Sequence, residues 1–368
     1  MNFRENMPVI AITGSAGKTT VKTLISSILR EKWIVFESGD YNNTTEMTKK
    51  HAGQINAIHH AAVLEYGMAY PGVIKEHCSI IKPNIGVITN IGLAHIGNFG
   101  GDISRLAAAK SELIEYMEPD GLLILNADDE NSKLLKTDGF KGTIVKTGID
   151  RDADYNAGDV EQLEDGMSFT VKLRGIDTRI FLPMAGVHNI NNALLAVAVA
   201  DRLGFDADEI EEGLGNAGKP KHRLDMHRLK DGITVIDDTV HAHPTAMKAA
   251  IDVLAKIGHG QKIAVLGSMP ELGNEINEYH EKIGQYAAQS GIDFLFTYGV
   301  VSEYIGIGAI ANGFPEDKVR HKTPLYRRVM HRELTQLIQP GATVLVKGAS
   351  RLNMVETVDF LCEEYKPV

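Results

Sequence analysis

Ala11-Ile12-Thr13-Gly14-Ser15-Ala16-Gly17-Lys18-Thr19-Thr20 is the stretch that decides the fold. An apolar run from Val9 to Ile12 ends in a glycine-bearing turn, and Lys-Thr-Thr then opens a helical pattern through Leu24, Ile25, Ile28 and Leu29. Strand, turn and helix N-terminus together make a phosphate cradle. Backbone N–H groups around Gly14, Ser15 and Gly17 face the anion with the helix dipole, Lys18 adds a point charge, and a hydroxyl of Thr19 or Thr20 can hold Mg²⁺. The first glycine stands three residues before Gly17, where the common Walker spacing has five. The bland alternative is a plain strand–helix turn with a solvated lysine.

The rest of the chain supports an α/β protein of more than one domain. Its 368 residues suffice for two or three domains with ample cores. A net charge of −10 leaves no basic footprint for nucleic acid or an anionic membrane. Cys78 and Cys362 are the only cysteines, which excludes a disulfide framework or a Cys-based zinc site. No apolar run reaches membrane-spanning length, so a cytoplasmic protein is expected.

Short apolar runs alternate with helical patterns. Val9–Thr13, Ala61–Tyr66, Ile85–Asn90 and Leu122–Asn126 read as buried strands, with helices over 20–30, 72–80 and 103–117 between them. Such alternation predicts a mostly parallel sheet covered on both faces, with Thr13, Glu65 and Asn90 meeting at one edge. Residues 141–184 alternate polar and apolar and predict a small antiparallel appendage. Helices resume from Asn189 to Gly204, and a Gly, Lys and Pro cluster at 215–221 reads as a linker. Beyond it a second, Rossmann-like α/β series begins, with strands at 234–237, 262–266, 293–298 and 343–347. The expected domains are 1–217 and 218–368, hinged near residue 218.

Several further segments carry candidate chemistry. Glu65 ends the apolar strand Val63-Leu64-Glu65-Tyr66-Gly67-Met68, where a carboxylate either binds a cation or simply faces water. His95 follows the strand in Thr89-Asn90-Ile91-Gly92-Leu93-Ala94-His95, and Lys110 lies in Ala107-Ala108-Ala109-Lys110-Ser111-Glu112; taken alone, each reads as an ordinary histidine and a helix-surface lysine. Asn126-Ala127-Asp128-Asp129 ends a strand and His188-Asn189-Ile190-Asn191-Asn192 starts a helix, where side chains can read a nucleotide or cap the helix. The second series holds His222-Arg223-Leu224, Asp237-Asp238-Thr239-Val240-His241-Ala242-His243-Pro244, Leu266-Gly267-Ser268-Met269-Pro270-Glu271 and Lys347-Gly348-Ala349-Ser350-Arg351.

In this order, from Ile10 to about Val358, the segments resemble the Mur ligase family of ATP-dependent amide-forming enzymes, most closely the branch that adds D-alanyl-D-alanine to the cell-wall precursor. The resemblance implies that Lys18 contacts the terminal phosphates of ATP and that Thr19 binds one Mg²⁺. It makes Glu65, His95 and Lys110 ligands of a second Mg²⁺, with Lys110 carbamylated by CO₂ so that it offers an oxygen. Asn90 then lines the nucleotide cleft, Asn189 and Asn192 take the adenine side, and Asn126 and Asp128 are further nucleotide contacts. From the second domain it brings Arg223, Asp238 and Lys347. The branch usually reads Asp-Asp-Ser-Tyr-Asn-Ala-Asn-Pro where this chain has Thr239, Val240, His241 and His243, and Ala349 shifts the spacing of the Lys-Gly-Ser-Arg turn.

The expectation is an ATP-dependent ligase joining a small-molecule carboxylic acid to an amine or amino acid through an acyl phosphate. Only about ten residues precede the phosphate loop, so the family's UDP-sugar-binding domain is expected to be absent and a standard sugar-nucleotide acid disfavoured. A separate substrate-binding protein completing a cell-wall ligase, a P-loop NTPase switch and an inactive partner subunit stand as alternatives.

Overall fold

Runs of buried β-branched and aliphatic residues set the strands. The structure, a computed structural model, describes residues 7–39, 42–218 and 221–366. The chain divides into two compact units: residues 7–92 with 98–218, and residues 221–366 with 93–97. The linker expected around residue 218 includes Lys219 and Pro220, which lie outside the described residues.

The first unit runs β1 (Val9–Thr13), α1 (Lys18–Arg30), β2 (Val35–Glu37), α2 (Thr45–Gln54), β3 (Ala61–Glu65), α3 (Val73–Ile80), β4 (Ile85–Ile88), α4 (Ile103–Tyr116), β5 (Leu122–Asn126), β6 (Thr143–Gly148), β7 (Tyr155–Gln162), β8 (Met167–Leu173), β9 (Ile176–Leu182), α5 (Val187–Arg202) and α6 (Ala207–Gly215). The sheet order is β2-β3-β1-β4-β5-β6-β7-β8-β9. Strands β1 to β6 pair in parallel, while β7, β8 and β9 form an antiparallel meander. The antiparallel part is smaller than expected, because residues 143–148 extend the parallel sheet beside β5 and pair in parallel with the start of β7.

Helix α1 shows why the sequence period works. Val21, Leu24, Ile25, Ile28 and Leu29 recur at three- and four-residue steps and are all fully buried. Each contributes roughly 1.5–3 kcal/mol over an exposed position. They join Ile10, Ile12, Val63 and Val87 from the strands and Ile190, Leu194 and Val197 from α5 in one core.

Helix α3 carries a less ordinary core residue. His77 is fully buried and stacks on Tyr66, with ring centroids 4.5 Å apart. Burial pushes its imidazole down to about 4, from an ordinary 6.5, with Glu76 and His51 as charged neighbours. The unfolded chain therefore takes up a proton near pH 6.5 that the folded chain refuses until about pH 4. The ring's stabilising contribution is complete above pH 6.5 and falls by about 3 kcal/mol on acidification through that window. Urea unfolding at pH 7 and pH 4.5 checks this. The parent should lose about 2–3 kcal/mol more across that step than His77→Phe, which carries no titrating ring.

The second unit runs β10 (Asp225–Arg228), β11 (Thr234–Asp238), α7 (Pro244–Ile257), β12 (Lys262–Gly267), α8 (Ile276–Ala288), β13 (Phe294–Tyr298), α9 (Glu303–Ala311), β14 (Val319–Lys322), α10 (Arg327–Leu337), β15 (Thr343–Lys347) and α11 (Val355–Tyr365). Its order is β10-β11-β15-β12-β13-β14, parallel except for β10. The expected architecture is the observed one: a mostly parallel sheet with an antiparallel appendage, and a second α/β unit. Among the described residues no helix is long and apolar enough to cross a membrane.

Candidate nucleotide and metal site

In the first unit, β1 and β4 are neighbours, and the connection from β1 to β2 leaves toward one side of the sheet while that from β4 to β5 leaves toward the other. Open α/β sheets form their ligand crevice at such a switch point. Pairing of Ile12 with Glu65 and of Thr13 with Ile88 brings three strand ends level.

The loop between β1 and α1 is held from the β4 side. Ser15 N–H donates to the Asn90 carbonyl at 3.0 Å, and the Asn90 side chain both accepts from Ala16 N–H at 3.0 Å and donates to the Ala16 carbonyl at 3.2 Å. The Thr89 hydroxyl donates to the same Ala16 carbonyl at 2.5 Å, and Ser15 exchanges bonds with both backbone groups of Gly92. Gly14 and Gly17 take φ of 147° and 80°, and a Cβ at either would run into Thr89 or Asn192. Asn90 is thus a brace of the loop, and Asn192 packs against its last turn. The Asn192 amide donates to the Asn189 side chain at 3.1 Å, and Asn189 donates to the Ala185 carbonyl at 2.8 Å.

Lys18 Nζ donates to the Gly14 carbonyl at 3.0 Å, which lays its charge along the loop. Thr19 and Thr20 are buried in the first turn of α1. The Thr19 hydroxyl donates to Glu65 Oε2 at 2.8 Å, and Asn43 Nδ2 donates to Glu65 Oε1 at 2.8 Å. Asn43 was missed at the sequence level. Its only signal is the Asn42-Asn43-Thr44 run before α2, where Thr44 is the N-cap.

Lys110 is no surface lysine. It is fully buried on α4, and burial, reinforced by the charge of Lys18, holds its amine well below the usual lysine range. Ala107 and Ala109 are buried beside it, small enough for the helix to lie against the sheet. Two expected nucleotide contacts are engaged locally. Asp128 accepts from the backbone N–H groups of Ile149, Asp150 and Arg151 at 2.7, 3.2 and 3.0 Å, and Asn126 accepts from Asp128 N–H at 2.9 Å.

A hydroxyl and a buried carboxylate at a phosphate loop are hard oxygen donors, the type Mg²⁺ prefers. That ion takes one or two carboxylates together with phosphate oxygens and water, not an all-protein cage. No three His, Cys, Asp or Glu side chains gather as a metal cage among the described residues. The residues present fit the ion.

The second unit holds the other candidates. Residues 93–97 group with it, and there His95 takes φ of 64° and pairs with Glu271 at 2.5 Å. Lys347, almost wholly buried, donates to Asp238 Oδ2 and to the His241 carbonyl, both at 2.7 Å, across the in-register pair Asp238–Lys347 of β11 and β15. Arg223 lies between His222 and Leu224, both left-handed, and the His222 ring is tied to Asp237 at 2.6 Å. The residue changes in the turn keep two structural duties. Thr239 donates to Asp237 at 2.7 Å, and His243 accepts from Ala246 N–H at 3.4 Å as N-cap of α7.

Comparison with known proteins agrees with this fold. Residues 12–200 match the Mur ligase middle domain, and residues 222–350 match the Mur ligase glutamate ligase domain. The UDP-N-acetylmuramoyl-tripeptide–D-alanyl-D-alanine ligase of Bacillus subtilis is 32% identical over 362 residues, covering 96% of this chain and 76% of the relative. The Escherichia coli enzyme of the same name is 31% identical, covering 98% of this chain and 78% of its own length. The crystal structure of MurF from Acinetobacter baumannii superposes with a TM-score of 0.87 at 30% identity, over 97% of this chain and 76% of that one. Fold and kinship together define the class: an ATP-dependent ligase joining an acid to an amine. Within that class the chain belongs to the Mur ligase family.

Proposed function

We propose that the protein forms an amide bond by phosphorylating a carboxylic acid with ATP and passing the acyl group to an amine. A carboxylate does not condense with an amine directly, because oxide is too poor a leaving group. Attack of the carboxylate oxygen on the γ-phosphorus gives an acyl phosphate and ADP. The amine then adds to the acyl carbon, and phosphate leaves as the amine proton is lost. Both steps need charge neutralised on the phosphoryl oxygens and water kept from the acyl phosphate. The observation that carries this reading is the buried Glu65 carboxylate bonded to the Thr19 hydroxyl at the mouth of the phosphate loop.

In this reading Lys18 and the loop amides hold the phosphates, and Asn189 and Asn192 serve the adenine side. Thr19 would hold one Mg²⁺, and Glu65, His95 and a carbamylated Lys110 a second; bound there, the ions offset phosphate charge. Arg223, Asp238 and Lys347 are assigned to the nucleotide and amine from the second domain. The shared ancestry with the D-alanyl-D-alanine-adding ligases supports that dipeptide as the amine and a peptide carboxylate as the acid.

Phosphate release measured with Mg·ATP tests the proposal. D-Alanyl-D-alanine is paired with UDP-N-acetylmuramoyl tripeptide and, separately, with short peptides and pooled carboxylates, and products are identified by mass spectrometry. Release should require acid and amine together and yield a product heavier by the dipeptide less water. Steady ATP hydrolysis indifferent to both additions would replace ligation with a nucleotide switch.

A further inference from the structure

Beneath Glu65 lies a buried imidazole that the reaction scheme leaves unused. His77, on α3, points both ring nitrogens at defined partners. Nε2 lies 3.2 Å from the Gly67 carbonyl, and Nδ1 lies 2.7 Å from the Thr48 hydroxyl on α2. A carbonyl can only accept, so Nε2 carries the proton, and the Thr48 hydroxyl donates to Nδ1. The face of the ring stacks on Tyr66, whose own hydroxyl donates to the Ile81 carbonyl at 2.6 Å.

These contacts converge on the backbone that orients the carboxylate. Tyr66 and Gly67 follow Glu65 directly. Gly67 N–H donates to the Asn43 carbonyl at 2.9 Å, while the Asn43 side chain donates to Glu65 at 2.8 Å. One peptide segment therefore carries Glu65 at one end and the His77 contact at the other, and the loop bearing Asn43 is fastened to the same segment. We propose that His77 is a positioning residue for the metal-binding carboxylate: through Gly67 and Tyr66 it fixes where Glu65 and Asn43 meet, and so sets the affinity for the divalent cation. This rests on Glu65 being a cation ligand, as assigned above.

Mn²⁺ binding to the protein saturated with ADP, followed by the electron paramagnetic resonance of free Mn²⁺, tests it without turnover. His77→Phe keeps the stacking surface and removes both hydrogen bonds; the dissociation constant should rise roughly 10- to 100-fold, the usual cost of losing such a support. His77→Gln, which can still donate to the Gly67 carbonyl, should recover most of that loss. Folded His77→Phe with parental Mn²⁺ affinity would overturn the proposal. Glu65→Gln, measured alongside, separates the two assignments. Weakened binding there with parental binding in His77→Phe removes the positioning role alone, whereas parental binding in Glu65→Gln removes the ligand assignment and the positioning role with it. Should His77→Phe fail to fold, Thr48→Val deletes the hydroxyl facing Nδ1, with its longer 3.3 Å contact to the Thr44 carbonyl, and should weaken Mn²⁺ a few-fold; no change would again overturn the proposal. Nitrogen-15 spectra of the parent should show His77 protonated on Nε2, and the opposite tautomer contradicts the arrangement.

Discussion

Lys18→Ala is expected to lower amine-dependent phosphate release by about 100- to 1,000-fold, the scale of losing one preorganised charge at a transferring phosphoryl group. The expectation comes from placement. Lys18 opens α1 only partly buried and lies along the loop, bonded to the Gly14 carbonyl at 3.0 Å. Alanine is the better helix former, so the substitution does not weaken α1. Circular dichroism and the unfolding midpoint should therefore stay at parental values while turnover collapses. Full activity in the folded variant would remove the phosphate-loop assignment, and with it the mechanism.

Lys110 gives the second large effect. An amine forced out of water and set beside another cation has its neutral form favoured, and the neutral amine is the form that attacks CO₂. In the proposed carbamylation the nitrogen bonds to carbon and releases a proton, so an uncharged amine becomes an anionic carbamate that Lys18 attracts. Loss of that oxygen donor should cost turnover about 100-fold or more, comparable to removing another preorganised group at the phosphoryl centre. Lys110→Met, which preserves volume in a closed core, should show this loss with little change in stability. Parental enzyme stripped of dissolved CO₂ should slow and recover on adding bicarbonate, and ¹³CO₂ should give a carbamate resonance absent from Lys110→Met. Activity indifferent to CO₂, with no such resonance, would leave Lys110 an uncharged core amine. The pH dependence has a definite sign: protonation of the amine competes with carbamylation, so acidification below its lowered range favours the inactive form.

Most of the scaffold was legible because buried strands write continuous apolar runs. Val9–Thr13, Leu122–Asn126 and Thr343–Lys347 appear with the bounds read from the sequence. Strands β2, β10 and β14 were not legible: Val35–Glu37 is three residues long, and Asp225–Arg228 and Val319–Lys322 are mostly polar edges with no buried face to impose a period. The site divides in the same way. Lys18 and Thr19 stand at a helix N-terminus, where spacing carries meaning, whereas Glu65 at its strand end reads locally either as a cation ligand or as a carboxylate facing water, and its assignment came from the resemblance. Lys110 was legible only through family resemblance, since nothing local distinguishes a buried lysine from a solvated one. Asn43, Thr89 and His77 act through partners 22, 73 and 10 residues away, contacts that exist only once the sheet has formed.

The placement of β1 between β3 and β4 has a consequence for how such a protein can change over time. In the proposed reading, connectivity places the phosphate loop beside its end, and main-chain amides together with Lys18 would meet the anion there. Side chains around the rim are consequently at liberty to diverge, so new acids and amines can be recruited without rebuilding the part of the molecule that handles the phosphoryl group.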